Sequence, residues 1–291
     1  MFQGSIVAIV TPFKNGKIDR ERFRELIEFQ ISSGTDAIVP AGCTGEAATL
    51  SHDEHKELIE YTLEIVNKRL PVIAGTGSNS TSEALELTKF AYTAGCDAAL
   101  IITPYYNKPM PEGLYKHYRT IAEHVDMPII LYNVPSRTGI SILPETVAKL
   151  AEIKNIVGIK EASGSLDQVS KIISLCGDDF VVLSGDDSLT LAIMAVGGKG
   201  VVSVAANIIP SQVSKMVHAA LSNNWNEAQR IHIKLFDMFK ALFIETNPIP
   251  VKTCLYLMKK INLELRMPLT PPSEENLKKL ENILKRYGLI Q

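Results

Sequence analysis

Eight short runs rich in valine, isoleucine and alanine recur along the chain, and the longer intervals between them have helical period. This alternation restricts the fold more than any other feature. The runs are Ile6–Val10, Ala37–Pro40, Val72–Ala74, Ala98–Thr103, Ile129–Asn133, Ile156–Lys160, Phe180–Ser184 and Gly200–Ser203. Bounded apolar runs of this length read as strands of a buried parallel sheet, and amphipathic intervals read as crossover helices. Such intervals include Asp19–Ser33, Ser51–Lys68, Thr81–Ala94, Pro111–His124 and Pro144–Ala151, the last opening on proline, which suits a first helical turn. A doubly wound open sheet uses the same units. The even spacing, and the lack of Gly-x-Gly-x-x-Gly after the first run, favour an α/β fold closed as a (β/α)8 TIM barrel.

The length of 291 residues exceeds the roughly 250 that such a barrel commonly takes. From about Pro210 no strand signal interrupts the helical pattern, which runs through Trp225–Phe243, Pro250–Lys260 and Ser273–Tyr287. The expected organisation is a catalytic barrel over residues 1–224 and a C-terminal helical extension over 225–291.

Composition excludes some functions. A formal net charge of -2, with basic residues scattered among acids, supplies no field for nucleic acid. The opening apolar run stops at Thr11-Pro12 with no basic leader, far short of the ~20 residues that span a bilayer, so neither a membrane partner nor a secretory route is expected and the cytoplasm is. Cys43, Cys96, Cys176 and Cys254 lie far apart and read as reduced thiols; the last three are expected as small buried hydrophobes.

Within this frame the residue types that carry chemistry fall at strand ends, where barrel enzymes keep their active sites. Ile156-Val-Gly-Ile-Lys160-Glu-Ala-Ser-Gly164 places an amine at the end of the sixth run. Strict alternation would put Ile156, Gly158 and Lys160 on one face, with Gly158 leaving space beside the lysine stem. A lysine ending a strand at the surface is the plain alternative. Against it stands Tyr132, which closes the neighbouring fifth run, so that the two side chains could converge above the core. Apolar surroundings lower a lysine pKa, and a neutral amine attacks a keto carbonyl to form a Schiff base. A nearby tyrosine can then move protons. Gly42-Cys43-Thr44-Gly45-Glu46 offers hydroxyl and backbone donors for a carboxylate, and Arg137 suits a second carboxylate. No metal and no cofactor is called for.

Several longer motifs carry a resemblance. Gly42-Cys-Thr-Gly-Glu46, Tyr132-Asn-Val-Pro-Ser-Arg-Thr-Gly139, Gly158-Ile-Lys-Glu-Ala-Ser163, Ser184-Gly-Asp-Asp187, Phe243–Lys252 and Arg266-Met-Pro-Leu-Thr270 resemble the pyruvate-dependent, Schiff-base class I aldolase family. The likeness runs from Gly4 to Leu269. It implies that Lys160 forms the Schiff base with pyruvate and that Tyr132 gives and takes protons. Thr44 and the backbone of Val202 would hold the pyruvate carboxylate, with Gly185 among the substrate-binding positions. Arg137 would bind the carboxylate of L-aspartate 4-semialdehyde, and its presence tilts the choice away from N-acetylneuraminate cleavage; an N-acetylneuraminate or 2-keto-3-deoxy sugar acid aldolase with the same Lys160 and Tyr132 is the alternative enzyme. Tyr106 would complete a proton relay across a subunit interface, which implies a homo-oligomer, usually a tetramer built as a dimer of dimers. At Cys43 the family usually has threonine. A thiol donates only weakly, so the relay is expected to be slower or to run through water, and a keto-acid-binding paralogue with an impaired relay is the non-enzymatic alternative.

His52-Asp-Glu-His55 has a spacing that two metal ligands could use, yet no third ligand is evident and a polar helical face explains it as well. The resemblance implies another role, an allosteric site for L-lysine at His52, His55, Asn79, Glu83 and Tyr105. The Asp186-Asp187 pair is expected to cap the following helix.

Overall fold

The computed structural model describes residues 2–291. Eight parallel strands form one sheet: β1 Gly4–Ala8, β2 Ala37–Val39, β3 Ile73–Gly75, β4 Ala98–Ile102, β5 Ile129–Asn133, β6 Ile156–Glu161, β7 Val181–Ser184 and β8 Gly200–Ser203. Consecutive strands are neighbours from β3 to β8, and β1 lies between β8 and β2. The remaining seam, β2 to β3, closes through a single bridge between Ile38 and Val72, flanked by Ile38 N–H donating to Pro71 O and Gly75 N–H donating to Pro40 O. A Cβ at Gly75 would meet Ala41 O at 2.3 Å, so only glycine permits that approach. The result is the expected (β/α)8 barrel.

Alternation sorts the strand side chains into two layers. Ile6, Val39, Ile73, Leu100, Ile130, Tyr132, Leu183 and Val202 fill the interior. Val7, Ile38, Ile101, Leu131, Ile159, Val182 and Val201 face the helices. Those helices are α1 Arg20–Ser32, α2 His52–Val66, α3 Thr81–Ala94, α4 Pro111–His124, α5 Pro144–Ala151, α6 Leu166–Cys176, α7 Thr190–Ala195 and α8 Pro210–Leu221. Their starts follow local chemistry. Ser51 and Glu54 form a reciprocal capping box on α2, Ser80 and Ser165 cap α3 and α6, and α4, α5 and α8 open on proline. A two-strand hairpin, Phe13–Lys14 with Lys17–Ile18, sits in the β1–α1 connection and has no counterpart among the expected elements.

The last helices are α9 Trp225–Ala241, α10 Ile249–Leu257 and α11 Glu274–Arg286. The fully buried Leu235, Phe239, Val251, Leu280 and Leu284 tie them into the layer outside the strands. Segments between them return to the barrel mouth, as described below. Cys96 and Cys254 are buried as expected, whereas Cys176, at the end of α6, is only half-buried because the helix stops there at Gly177. No helix among the described residues is long and apolar enough to cross a membrane.

Candidate active site

Lys160 and Tyr132 are paired across β5 and β6 in the same register, which puts both side chains at the C-terminal end of the barrel interior. The Lys160 amine lies 4.0 Å from the centre of the Tyr132 ring, over its face and not on its hydroxyl. Burial pulls the lysine pKa from 10.5 to about 8; the Cys43 thiol and Asp187 pull it back up and the Arg137 cation draws it down. Burial likewise holds the Tyr132 phenol well above its usual value, and the neighbouring Cys43 adds to that shift. Lysine is thereby biased toward the free base and tyrosine toward the protonated acid, complementary states for an amine that must attack and a phenol that must donate.

Space for the lysine arises differently from the expectation. The register shifts between Ile129 and Ile130, so that Ile129 faces Ile156 but Ile130 faces Gly158. This bulge sends Ile156 outward with Ile159, and Val157 packs against the interior. Ile156 therefore does not share the Lys160 face. Nor does Gly158 leave a gap: a Cβ there would meet Val181 O at 2.5 Å, so that glycine allows β6 and β7 to approach. Room for the lysine stem comes from Gly185, where a Cβ would stand 3.1 Å from Lys160 Cε and 2.7 Å from Ala162 Cβ.

Two cavities meet at Tyr132, Arg137, Thr246 and Asn247. One, of about 610 Å3, contains Lys160, Thr44, Gly185 and Asp186. Val204 lines it on the β8 side, while Val202, 1% exposed, lies two residues deeper in the barrel interior. Thr44 Oγ1 accepts a hydrogen bond from Asn247 Nδ2 at 3.0 Å, leaving its own O–H to donate. Arg137 sits on a single helical turn, Pro135–Thr138, and donates from Nη2 to Asn247 O at 2.7 Å, with further N–H groups left to bind. An uncharged hydroxyl and a guanidinium therefore stand on either side of one asparagine, an arrangement suited to a substrate pair bearing two carboxylates.

The other cavity, of about 470 Å3, runs from Cys43 and Tyr132 to His52, His55, Glu83 and Tyr105. His52 Nε2 pairs with Glu83 at 2.6 Å, and Ser78 donates to the same carboxylate. His55 Nε2 lies 2.7 Å from Gly75 O, and burial lowers its pKa. The two histidines thus engage different partners and do not converge. Tyr105 is half-buried, and Asn79 stands next to the cavity-lining Ser78, its carbonyl accepting from Asn107. Tyr106 is 89% exposed and lies outside the pocket of its own chain.

Glu161, Asn247 and Lys252, buried groups that composition and spacing did not single out, support this site together with Asp187, which was expected only as a cap. Glu161 accepts from Asn133, Gln168 and Ser163 N–H, anchoring the strand end beside the lysine. Asp187 accepts from Ser203 Oγ and from the N–H groups of Val204 and Ala205, so it ties β7 to the turn after β8; burial pushes its pKa up to about 6 against those donors. Asp186 alone performs the expected capping, through Ser188 and Leu189 N–H. Asn247 bridges Thr44 and Arg137, and Lys252 pairs with Glu46. Long-range contacts give Asp187, Asn247 and Lys252 their meaning, and no local period signals them.

Fold and pocket together describe a (β/α)8 barrel with a buried lysine at its C-terminal mouth, and the relatives of the chain place it among the lyases. The chain belongs to the dihydrodipicolinate synthetase family, whose sequence pattern matches residues 1–287. It is 60% identical over 290 residues, covering all of both chains, to a 4-hydroxy-tetrahydrodipicolinate synthase of Citrifermentans bemidjiense. Among solved structures it superposes on the chloride-inhibited dihydrodipicolinate synthase of Acinetobacter baumannii complexed with pyruvate, with a TM-score of 0.98, 47% identity and complete coverage of both chains. The dihydrodipicolinate synthase of Cyanidioschyzon merolae with lysine bound matches with a TM-score of 0.96 and 42% identity over 99% of each chain.

Proposed function

We propose that Lys160 is the nucleophile with which this chain carries out the 4-hydroxy-tetrahydrodipicolinate synthase reaction of its family, the condensation of pyruvate with L-aspartate 4-semialdehyde in lysine and diaminopimelate biosynthesis. The observation that carries the reading is the buried Lys160 amine, with its pKa drawn down to about 8, at the end of a cavity lined by Thr44, Tyr132 and Arg137. The neutral amine adds to the keto carbon of pyruvate, and the carbinolamine loses water to give an iminium. Loss of a methyl proton then yields the enamine that attacks the aldehyde. Tyr132 moves protons in these steps, Thr44 and the backbone near Val202 hold the pyruvate carboxylate beside Gly185, and Arg137 receives the carboxylate of the second substrate. Cys43 takes the place between Tyr132 and a partner subunit's Tyr106.

The assembly we propose is a homotetramer, a dimer of dimers, working in the cytoplasm, with residues 1–224 as the catalytic barrel and 225–291 as the region that walls its mouth. L-lysine is proposed as a feedback inhibitor bound by His52, His55, Asn79, Glu83 and Tyr105. Continuity of their cavity with Cys43 and Tyr132 supports this, as does a relative crystallised with lysine.

The test combines two assays on wild type and Lys160→Ala. Mass spectrometry after borohydride reduction with pyruvate should find the adduct on Lys160, and a coupled assay should show turnover of L-aspartate 4-semialdehyde. An adduct elsewhere would remove Lys160 from its role, and turnover only with an acylated amino sugar or a 2-keto-3-deoxy sugar acid would make the chain a different aldolase. Titration with millimolar L-lysine should reduce turnover; activity that stays unchanged would sink the inhibitor reading.

A further inference from the structure

We infer that the buried Glu46–Lys252 ion pair is a positioning device for pyruvate binding, through which the C-terminal extension sets the geometry of the loop that carries Cys43 and Thr44. This inference rests on the role proposed above for Thr44. Residues 41–46 run between β2 and a short turn at Ala47–Thr49, and both Ala41 and Glu46 hold left-handed backbone at φ 52° and 56°. Such residues are costly unless surrounding contacts over-determine them.

Here the contacts are supplied from far along the chain. Glu46 is 4% exposed and Lys252 0%. Lys252 Nζ donates to Glu46 Oε1 at 2.5 Å and to Thr11 O at 3.0 Å, and lies over the Phe13 ring. The second carboxylate oxygen of Glu46 accepts from Arg266 N–H at 3.0 Å. Thr11 in turn donates from Oγ1 to Gly45 O at 2.7 Å. The loop is therefore held from beneath at Gly45 and at both oxygens of Glu46. Lys252 is also in the first turns of α10, shortly after Asn247, whose side chain donates to Thr44 and whose carbonyl receives Arg137. The ion pair thus joins the loop to the helix that follows the segment orienting its threonine.

Removing one partner of a buried pair strands a charge, whereas replacing both leaves none, which allows stability and positioning to be separated. The experiment uses the purified full-length enzyme as wild type, Lys252→Met, Glu46→Gln/Lys252→Met and Glu46→Asp. Lys252→Met alone should lower the melting temperature most. The double variant should regain most of that loss yet bind pyruvate about tenfold more weakly by KM, with kcat changed less than about threefold, the pattern of lost positioning. Glu46→Asp keeps the charge but withdraws the carboxylate by one carbon, and should raise the pyruvate KM several-fold. A pyruvate KM within about twofold of wild type in a folded double variant, or in Glu46→Asp, would reduce the pair to a structural tie. Failure of wild type to form any pyruvate adduct on Lys160 would instead unseat the Schiff-base reading, an outcome independent of this comparison.

Discussion

At the scale of single residues the site is an exercise in biasing protonation. A lysine drawn down to about 8 has roughly a tenth of its amines neutral at pH 7, against about one in three thousand at the ordinary 10.5. The sign follows directly: the neutral form grows as pH rises, so the initial rate of adduct formation with pyruvate should climb about tenfold per unit below pH 7 and level off above about pH 8.5. Borohydride trapping across pH 5.5–10 reads this out, and a rise continuing to pH 10 would contradict the depressed value. Gly185 has its own signature. In Gly185→Ala the new methyl would press on Lys160 Cε and, more closely, on Ala162 Cβ, and because displacements of about 1 Å can cost ~100-fold, trapping should slow by at least tenfold and the melting temperature should fall as well. Cys43 lines the cavity beside Tyr132, where in the proposed relay its weak S–H donor would stand in place of a hydroxyl. Cys43→Thr should raise kcat by a few-fold and leave the pyruvate KM in place, measured in the coupled assay.

At the scale of elements, β6 shows where sequence reading succeeds and where it stops. The strand itself, its neighbours and the position of Lys160 at its end follow from short apolar runs alternating with amphipathic ones. The bulge at Ile156–Gly158 does not, because it answers to the register of β5, a partner known only once the sheet has closed. Strict alternation consequently assigned Ile156 to the wrong face and gave Gly158 the spacing role that belongs to Gly185. Gly158→Ala should push β6 from β7 and cost about 1–3 kcal/mol, seen as a lower denaturant midpoint. The same limit governs the site. That Thr44, Tyr132, Arg137 and Lys160 line one cavity was legible because each stands at a strand end or in the loop that follows, in a recognisable motif. Glu161, Asp187 and Lys252 read locally as ordinary charged residues and acquire their roles only from partners up to 206 positions away.

For the whole molecule, the exposure of Tyr106 carries the main expectation. Tyr106, 89% exposed with left-handed backbone at φ 71°, stands open to a partner subunit. If a partner subunit's Tyr106 completes the relay, specific activity should fall as the enzyme is diluted below the dissociation constant of its oligomer, in step with the loss of larger species in analytical ultracentrifugation. Full activity in a monomeric fraction would argue that each barrel works alone.

The closure of this barrel also sets an order of events during synthesis. β1, made first, lies between β2 and β8, and its partner at Gly200–Ser203 is nearly two hundred residues away. The turn after it waits longer still, since Asn15 and Gly16 N–H donate to Glu264 and Arg266 donates to Gly16 O. At about 5–20 residues per second, the first strand remains without its second neighbour for roughly 10–40 seconds on the ribosome. Lys160 emerges well before the turn following β8 and the Asn247 bridge exist to line its cavity. If Lys160 is the nucleophile proposed above, the cavity that shelters its amine is complete only when nearly all of the chain has been made.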